Sequence, residues 1–313
     1  MNGIMNVLKP AGMTSFDVVA VIRRISGQKK IGHTGTLDPS AVGVLPICIG
    51  NATKAIEFMI DKDKVYRAEL TLGVSTDTQD SSGKVIYSQT VDADYNTILS
   101  VVESFVGDIQ QLPPMYSAIK IGGKKLYEIA RQGETIERQS RSITIYDINV
   151  IRIWDEKSLF MDGEYNTEYN TKKVLFDVHC SKGTYIRTLC NDIGEKLGCG
   201  GHMSFLVRTR SGKYNLDSAL TLEEIKEHAS KNTLRNSLLP VETVFEEYDS
   251  IHLGEVDTFK YNNGVWVEII CDKCDKDTLK RVYDKDNVFL GIGELSNNGK
   301  TVYLKSKKFF KDN

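Results

Sequence analysis

The stretch GHTGTLDPSAVGVLP, residues 32–46, holds the side chain best placed to do chemistry. Asp38 sits alone in it, with Gly35 before, Pro39 directly after, and Gly43 and Pro46 beyond. A residue before proline is pushed towards extended backbone. Glycines let a ligand or another backbone approach closely. Such a loop displays one carboxylate in a fixed direction. A displayed carboxylate can serve as nucleophile or base at a sugar carbon. A glycosidase would need a second carboxyl about 5–10 Å away, and the sequence offers no obvious partner. The competing reading is an Asx-turn, in which Asp38 only organises its own loop.

Other constellations are missing. The chain has no Walker loop, GxGxxG, HExxH or GxSxG. Five histidines, scattered at 33, 179, 202, 228 and 252, make a three-histidine metal site improbable. The CDKC at 271–274 is a single CxxC without the second ligand pair that a structural zinc needs. With no export signal, the six cysteines read as reduced thiols of a cytoplasmic protein. No apolar run reaches membrane-spanning length.

The elements around the loop follow from periodicity. IMNVLKP reads as a strand ended by Pro10. TSFDVVAVIRRISG reads as a helix capped by Thr14 or Ser15 and stopped by Gly27. VGVLPICIG reads as a buried strand, and NATKAIEFMI as a helix capped by Asn51. KVYRAELTLGV alternates, with Tyr66, Ala68, Leu70 and Leu72 on one face. STDTQDSSG, 75–83, is a polar loop that fails the calcium-loop spacing. Strands near 142–154 and 173–180 flank an acidic, tyrosine-bearing loop around 155–170. TYIRTLCNDIGEKLG is a helix with Thr184 as N-cap, which puts Arg187 in the first turn. That end of the macrodipole is positive, so a nearby anion would relieve the cation. Residues 250–313 read as a small all-β module.

Formal net charge over 313 residues is -2, yet cations gather locally. Residues 1–54 hold six Lys or Arg against two Asp, and residues 120–141 hold six against three Glu. Either segment suits a phosphate backbone or a plain solvated surface.

These blocks resemble, in order, the motifs of bacterial tRNA pseudouridine-55 synthases, the TruB family. LKPAGMTSFDVV resembles the N-terminal motif, GHTGTLDPSAVGVLPICIGNATK the signature, and KVYRAELTLGVSTDTQDSSG the tyrosine motif. PPMYSAIKIGGKKLYEIARQGE resembles the RNA-binding insertion, CSKGTYIRTLCNDIGEKLG the arginine motif, and LVRTRSGKYNL the last catalytic motif. The resemblance implies an α/β (α+β) catalytic domain, residues 1–240, on a mixed, largely antiparallel sheet, with the insertion at about 111–140. A small β-barrel-like, PUA-like RNA-binding domain, 241–313, would follow.

The implied reaction turns a uridine of the tRNA T-loop into pseudouridine on a flipped-out nucleotide, without metal or cofactor. Asp38 would be the essential carboxylate. Tyr66 would stack on the base and could take its C5 proton. Arg187 would pair with Asp38 and keep it ionised. Leu206 would line the base pocket, His33 would fill the space left by the base, and Lys9 and Pro10 would buttress the loop. Lys120, Lys124, Lys125, Tyr127 and Arg131 of the insertion would contact RNA. The implied partner is the T-arm stem-loop, bound by a monomer with no membrane and no obligate protein partner. A guide-dependent enzyme and a non-catalytic tRNA-binding or folding protein are the alternatives.

Overall fold

The computed structural model describes residues 1–162, 165–269, 278–297 and 301–310. Cys271 and Cys274 lie outside them. The chain opens with β1 (Gly3–Lys9), α1 (Ser15–Ser26), β2 (Ile31–His33), β3 (Val42–Ile49), α2 (Ile56–Ile60), β4 (Lys64–Leu72), β5 (Val74–Thr76) and β6 (Val85–Ser88). It continues through α3 (Tyr95–Glu103), β7 (Gly107–Gln111), β8 (Lys120–Ile121), β9 (Lys124–Lys125) and α4 (Leu126–Ala130). Then come β10 (Arg141–Asp162), β11 (Tyr165–Cys180), α5 (Ile186–Lys196), β12 (Gly201–Ser211), β13 (Tyr214–Asn215) and α6 (Leu222–Ser230). The last part holds β14 (Ser250–His252), α7 (Glu255–Asn262), β15 (Val267–Ile269), β16 (Leu279–Tyr283), β17 (Phe289–Asn297) and β18 (Val302–Phe309).

One large sheet in the order β1-β3-β12-β4-β11-β10-β7 carries the site. Every pairing along it is antiparallel except β3–β12, a short parallel seam of Val207 with Val42 and Arg208 with Gly43. The expected alternation in β4 holds: Tyr66, Ala68, Leu70 and Leu72 face a core shared with Val178, Leu189 and Ile193 of β11 and α5. On the far side of the seam α1 and α6 cover β1 and β3 through Val18, Ile22, Leu45, Ile47 and Ile225. Thr14 caps α1 in a reciprocal box with Asp17, and Gly27 closes it in the left-handed region. A cap of this kind contributes about 1 kcal/mol. Cys48, Cys180, Cys190 and Cys199 are free and buried. Burial pushes the Cys48 thiol up to about 12.

At the seam Gly43 has φ +116°. A Cβ there would lie 2.2 Å from the Arg208 carbonyl oxygen and 2.7 Å from its nitrogen. Gly43→Ala is therefore expected to cost about 3 kcal/mol, from overpacking and a disallowed backbone. Thermal unfolding followed by circular dichroism measures this; an unchanged midpoint would mean that the seam yields.

Four elements differ from the sequence reading. Residues 155–170 are not a loop, because β10 and β11 pair continuously from Trp154–Lys173 outwards to Asp162–Tyr165. This ribbon is largely exposed, and where it turns inwards its buried pair is polar, so apolar alternation is lacking. Its register is carried instead by pairs such as the buried Ser158–Thr171 hydroxyl contact at 2.9 Å. Asn51 does not cap a helix. It lies inside a 3-10 turn, Gly50–Ala55, and its N–H donates to Asn2 Oδ1 at 2.7 Å. Thr184 is not the cap of α5. Its hydroxyl donates to the Ser181 carbonyl at 2.9 Å, and Tyr185 holds the N-cap position. The C-terminal module is not all β: α7 packs its buried Tyr261 against Phe309 of a five-stranded curled sheet.

Candidate active site

Asp38 lies between β2 and β3, in a loop tied down from below. Gly12 N–H donates to the Pro39 carbonyl at 2.8 Å, and Leu37 N–H donates to Ser15 Oγ at 3.0 Å. Lys9, fully buried, donates through Nζ to the carbonyls of Ala41 at 2.6 Å, Pro10 at 2.8 Å and Pro39 at 3.3 Å. Pro10 itself is exposed and contributes that carbonyl. Burial pulls Lys9 down to about 8 against the raising effect of Asp38. A second buried cation, Arg208, grips the same loop and strand. Its Nε donates to the Val44 carbonyl at 2.7 Å and its Nη2 to the Gly35 carbonyl at 3.2 Å.

The Asp38 side chain bonds across the cleft, to Arg187 Nη2 at 3.4 Å, a residue 149 positions away. The anion that the first-turn Arg187 lacked in sequence is therefore supplied by tertiary structure. It is not the only one. Asp80 Oδ2 lies 3.6 Å from Arg187 Nη1, and both side chains are buried. Thr78 Oγ1 at 2.8 Å and Ser82 N–H at 2.9 Å donate to Asp80 Oδ1 and fix it. Asp38 is thus not solitary. The polar run STDTQDSSG gave no sign of this, because nothing local marks Asp80 as buried. A tight turn with Gln79 at φ +64° tucks it inwards.

Arg187 was expected to keep Asp38 ionised by lowering its pKa, and the net shift runs the other way. Desolvation by the surrounding protein pushes the Asp38 carboxyl up, and Asp80 adds to the push. Arg187 and Lys9 pull it down without overcoming the burial. About a third of the side chain, 33 %, stays accessible at the cleft.

Tyr66 is 9 % exposed and lies directly opposite Arg208 in the β4–β12 register. Burial pushes its phenol up, so the hydroxyl stays neutral, while Arg208 hydrogen-bonds it and opposes the rise. Leu206 is buried beside Tyr66 in the same core. It also lines a cavity of about 50 Å³ with Ser40, Asp80, Ser82, Ser204 and Phe205. His33 lies at the rim, its ring edge-on to Phe16 at 5.2 Å. Burial lowers its pKa, so it is neutral. Phe16, 70 % exposed on α1, escaped the sequence reading, as did Asp80 and Arg208. An exposed Phe in an otherwise amphipathic helix is the one signal that could have found it.

The basic residues form a separate group on the 111–140 excursion. Lys120 and Lys124 sit on the β8–β9 hairpin. Lys125 and Arg131 lie over the Tyr127 ring, 5.3 and 5.5 Å from its centre. The body of this excursion reaches the centre directly: Arg187 Nη2 donates to the Tyr116 carbonyl at 2.7 Å.

Comparison with known proteins shows the family. Residues 23–186 match the model of the TruB family pseudouridylate synthase N-terminal domain. Residues 187–246 match the tRNA pseudouridylate synthase B C-terminal domain, and 250–304 the pseudouridine synthase II TruB C-terminal model. A tRNA pseudouridine synthase B of Clostridioides difficile is 44% identical over 99% of this chain and 100% of its own length. One from Alkaliphilus oremlandii is 54% identical over 77% of this chain and 75% of its own. Among solved structures, a Cbf5-Nop10-Gar1 complex contains a chain with TM-score 0.70 and 26% identity, covering 99% of this chain and 85% of that one. Ordered motifs, a fold that brings Arg187 to Asp38, and full-length similarity converge, and the chain belongs to the TruB family of pseudouridylate synthases.

Proposed function

We propose that this protein isomerises the T-loop uridine of tRNA at position 55 to pseudouridine, with Asp38 as the reacting carboxylate. The observation that carries the reading is the Asp38–Arg187 pair at 3.4 Å, with the Tyr66 phenol close enough to feel the Asp38 charge. In the isomerisation the N1–C1′ bond breaks, the base turns, and C5 bonds to C1′ while its proton leaves to N1 or solvent. Asp38 either attacks C1′ or removes the C2′ proton, and both routes require it ionised. A neutral Tyr66 ring offers the flipped base an apolar stacking face. Its raised pKa makes it a poor direct base unless Arg208 helps to carry the negative charge. Leu206, packed in the same core as Tyr66, lines the side that receives the base, and His33 with Phe16 occupies the gap it leaves.

Lys120, Lys124, Lys125, Tyr127 and Arg131 combine cations with a ring, the composition that grips an RNA backbone and stacks a base. The reading includes a catalytic part of about residues 1–240 and an RNA-contacting part beyond it. It also includes action as a soluble cytoplasmic monomer without guide RNA or protein partner.

Tritium release from C5-labelled uridine in a T-arm stem-loop, with purified protein alone, tests it. Release at catalytic protein concentration is expected, and none would sink the reading. In the same assay Arg187→Ala should lower the single-turnover rate by about 100-fold, the cost of misplacing a reacting group. Binding of the stem-loop should change far less. A loss confined to affinity would remove Arg187 from the chemistry.

A further inference from the structure

Gln111 stands at the root of the basic excursion. It is the last residue of β7 and pairs with Arg141, the first of β10, so the excursion leaves the sheet at this point. Its side chain is 2 % exposed and makes two hydrogen bonds to one distant residue. Gln111 Nε2 donates to the Tyr185 carbonyl at 3.0 Å, and Tyr185 N–H donates to Gln111 Oε1 at 2.8 Å. Tyr185 is the N-cap of α5 and has no side-chain cap of its own. The helix that carries Arg187 is therefore started by an amide borrowed from the root of the excursion. The Tyr185 ring also rests against the Arg187 guanidinium, 6.0 Å from its centre.

Arg187 is held loosely by its carboxylates. The distances are 3.4 Å to Asp38 and 3.6 Å to Asp80, against 2.7 Å to the Tyr116 carbonyl of the excursion. Its buried Nε has no partner among the described residues. Charge-assisted bonds normally close to about 2.7–2.9 Å. Two contacts from one segment, at its root and its body, thus set where this guanidinium lies relative to Asp38.

We infer that Gln111 is a positioning residue for the isomerisation: it fixes Tyr185, and through it the distance between Arg187 and Asp38. The inference rests on the function proposed above. The excursion that holds RNA and the cation that tunes Asp38 are then one mechanical unit, and substrate capture is read directly at the reacting carboxylate. The groups facing Asp38 are Arg187 from α5, Asp80 from the turn after β5, and Lys9 from β1. Loosening Arg187 removes a lowering influence, so Asp38 must titrate at higher pH.

The test compares Gln111→Met, which keeps the length but makes neither bond, with Gln111→Glu, which keeps the acceptor. Single-turnover pseudouridine formation on a T-arm stem-loop is measured against pH, beside stem-loop affinity and thermal midpoint. The Met variant should react about tenfold slower or worse, as expected for a misplaced group. Its acid limb should move to higher pH while affinity stays within about threefold. The Glu variant should fall between it and the parent. Three results overturn the inference: an unchanged rate, a loss carried by affinity, or a slower rate with the acid limb unmoved. If the Met variant does not fold, the acid limb of the Glu variant decides alone. A parent enzyme that forms no pseudouridine would instead strike at the functional reading.

Discussion

Asp38→Asn should lose pseudouridine formation by on the order of 10⁴-fold, the upper range for removing an acid–base group, yet unfold at the same or a higher temperature. Both halves follow from the burial of Asp38. The amide cannot attack a sugar carbon or accept a proton, so the reaction stops. The stability half needs its sign worked out. Desolvation raises the carboxyl pKa in the folded state above its unfolded value. The folded protein therefore favours the protonated group. The stability this contributes is complete below the unfolded pKa and is lost as pH rises through the folded pKa. Above the folded pKa the ionised Asp38 carries a desolvation cost that Asn does not. Scanning calorimetry at pH 7, beside the tritium assay, checks the pair of outcomes. A clear fall in melting temperature would show that the Arg187 contact outweighs the burial. The same shift predicts that the acid limb of the parent's pH–rate profile lies above the ordinary carboxylate value of about 4.

Arg208→Met is expected to be the most damaging change outside the reacting trio. Arg208 is 1 % exposed and has no carboxylate partner among the described residues. It is neutralised by carbonyl dipoles at Val44 and Gly35 and by the Tyr66 hydroxyl. A Met of similar length fills most of the volume but leaves these acceptors unmet, at about 1–3 kcal/mol each. Relief of the buried charge offsets part of this, so the net loss should be of the order of a few kcal/mol. The kinetic loss is larger. The Asp38 loop and the Tyr66 hydroxyl share this one guanidinium. A displacement of about 1 Å can cost 100-fold in rate. Single-turnover rate and urea unfolding on the same variant separate the two effects. A turnover loss no greater than tenfold would mean that Lys9 and Ser15 suffice to hold the loop.

What could be read from the sequence was what is local or periodic. The β4 alternation, the Thr14 cap with its Gly27 stop, and the rigid display of Asp38 are each set by neighbours within a few residues. Asp80 and Arg208 were not legible, because their roles arise from contacts with residues more than a hundred positions away. The β10–β11 ribbon was missed for a different reason. A largely exposed two-stranded arm whose buried pair is polar, Ser158 with Thr171, shows no hydrophobic alternation. The Asp38 pKa went the other way from a pairwise argument, since one cation at 3.4 Å does not offset the displaced water.

The parallel seam between β3 and β12 has a consequence for how the enzyme comes into being. The Arg208–Val44 bond spans 164 residues, so the loop around Asp38 gets its floor only when the chain has closed on itself over that distance. Closure of so large a loop is entropically slow, and contacts of this kind form late. A growing polypeptide carries Asp38 early but waits for β12 before the carboxylate is aimed at anything. Partly folded forms are then expected to be silent towards RNA chemistry, with activity switching on as the last long-range strand docks.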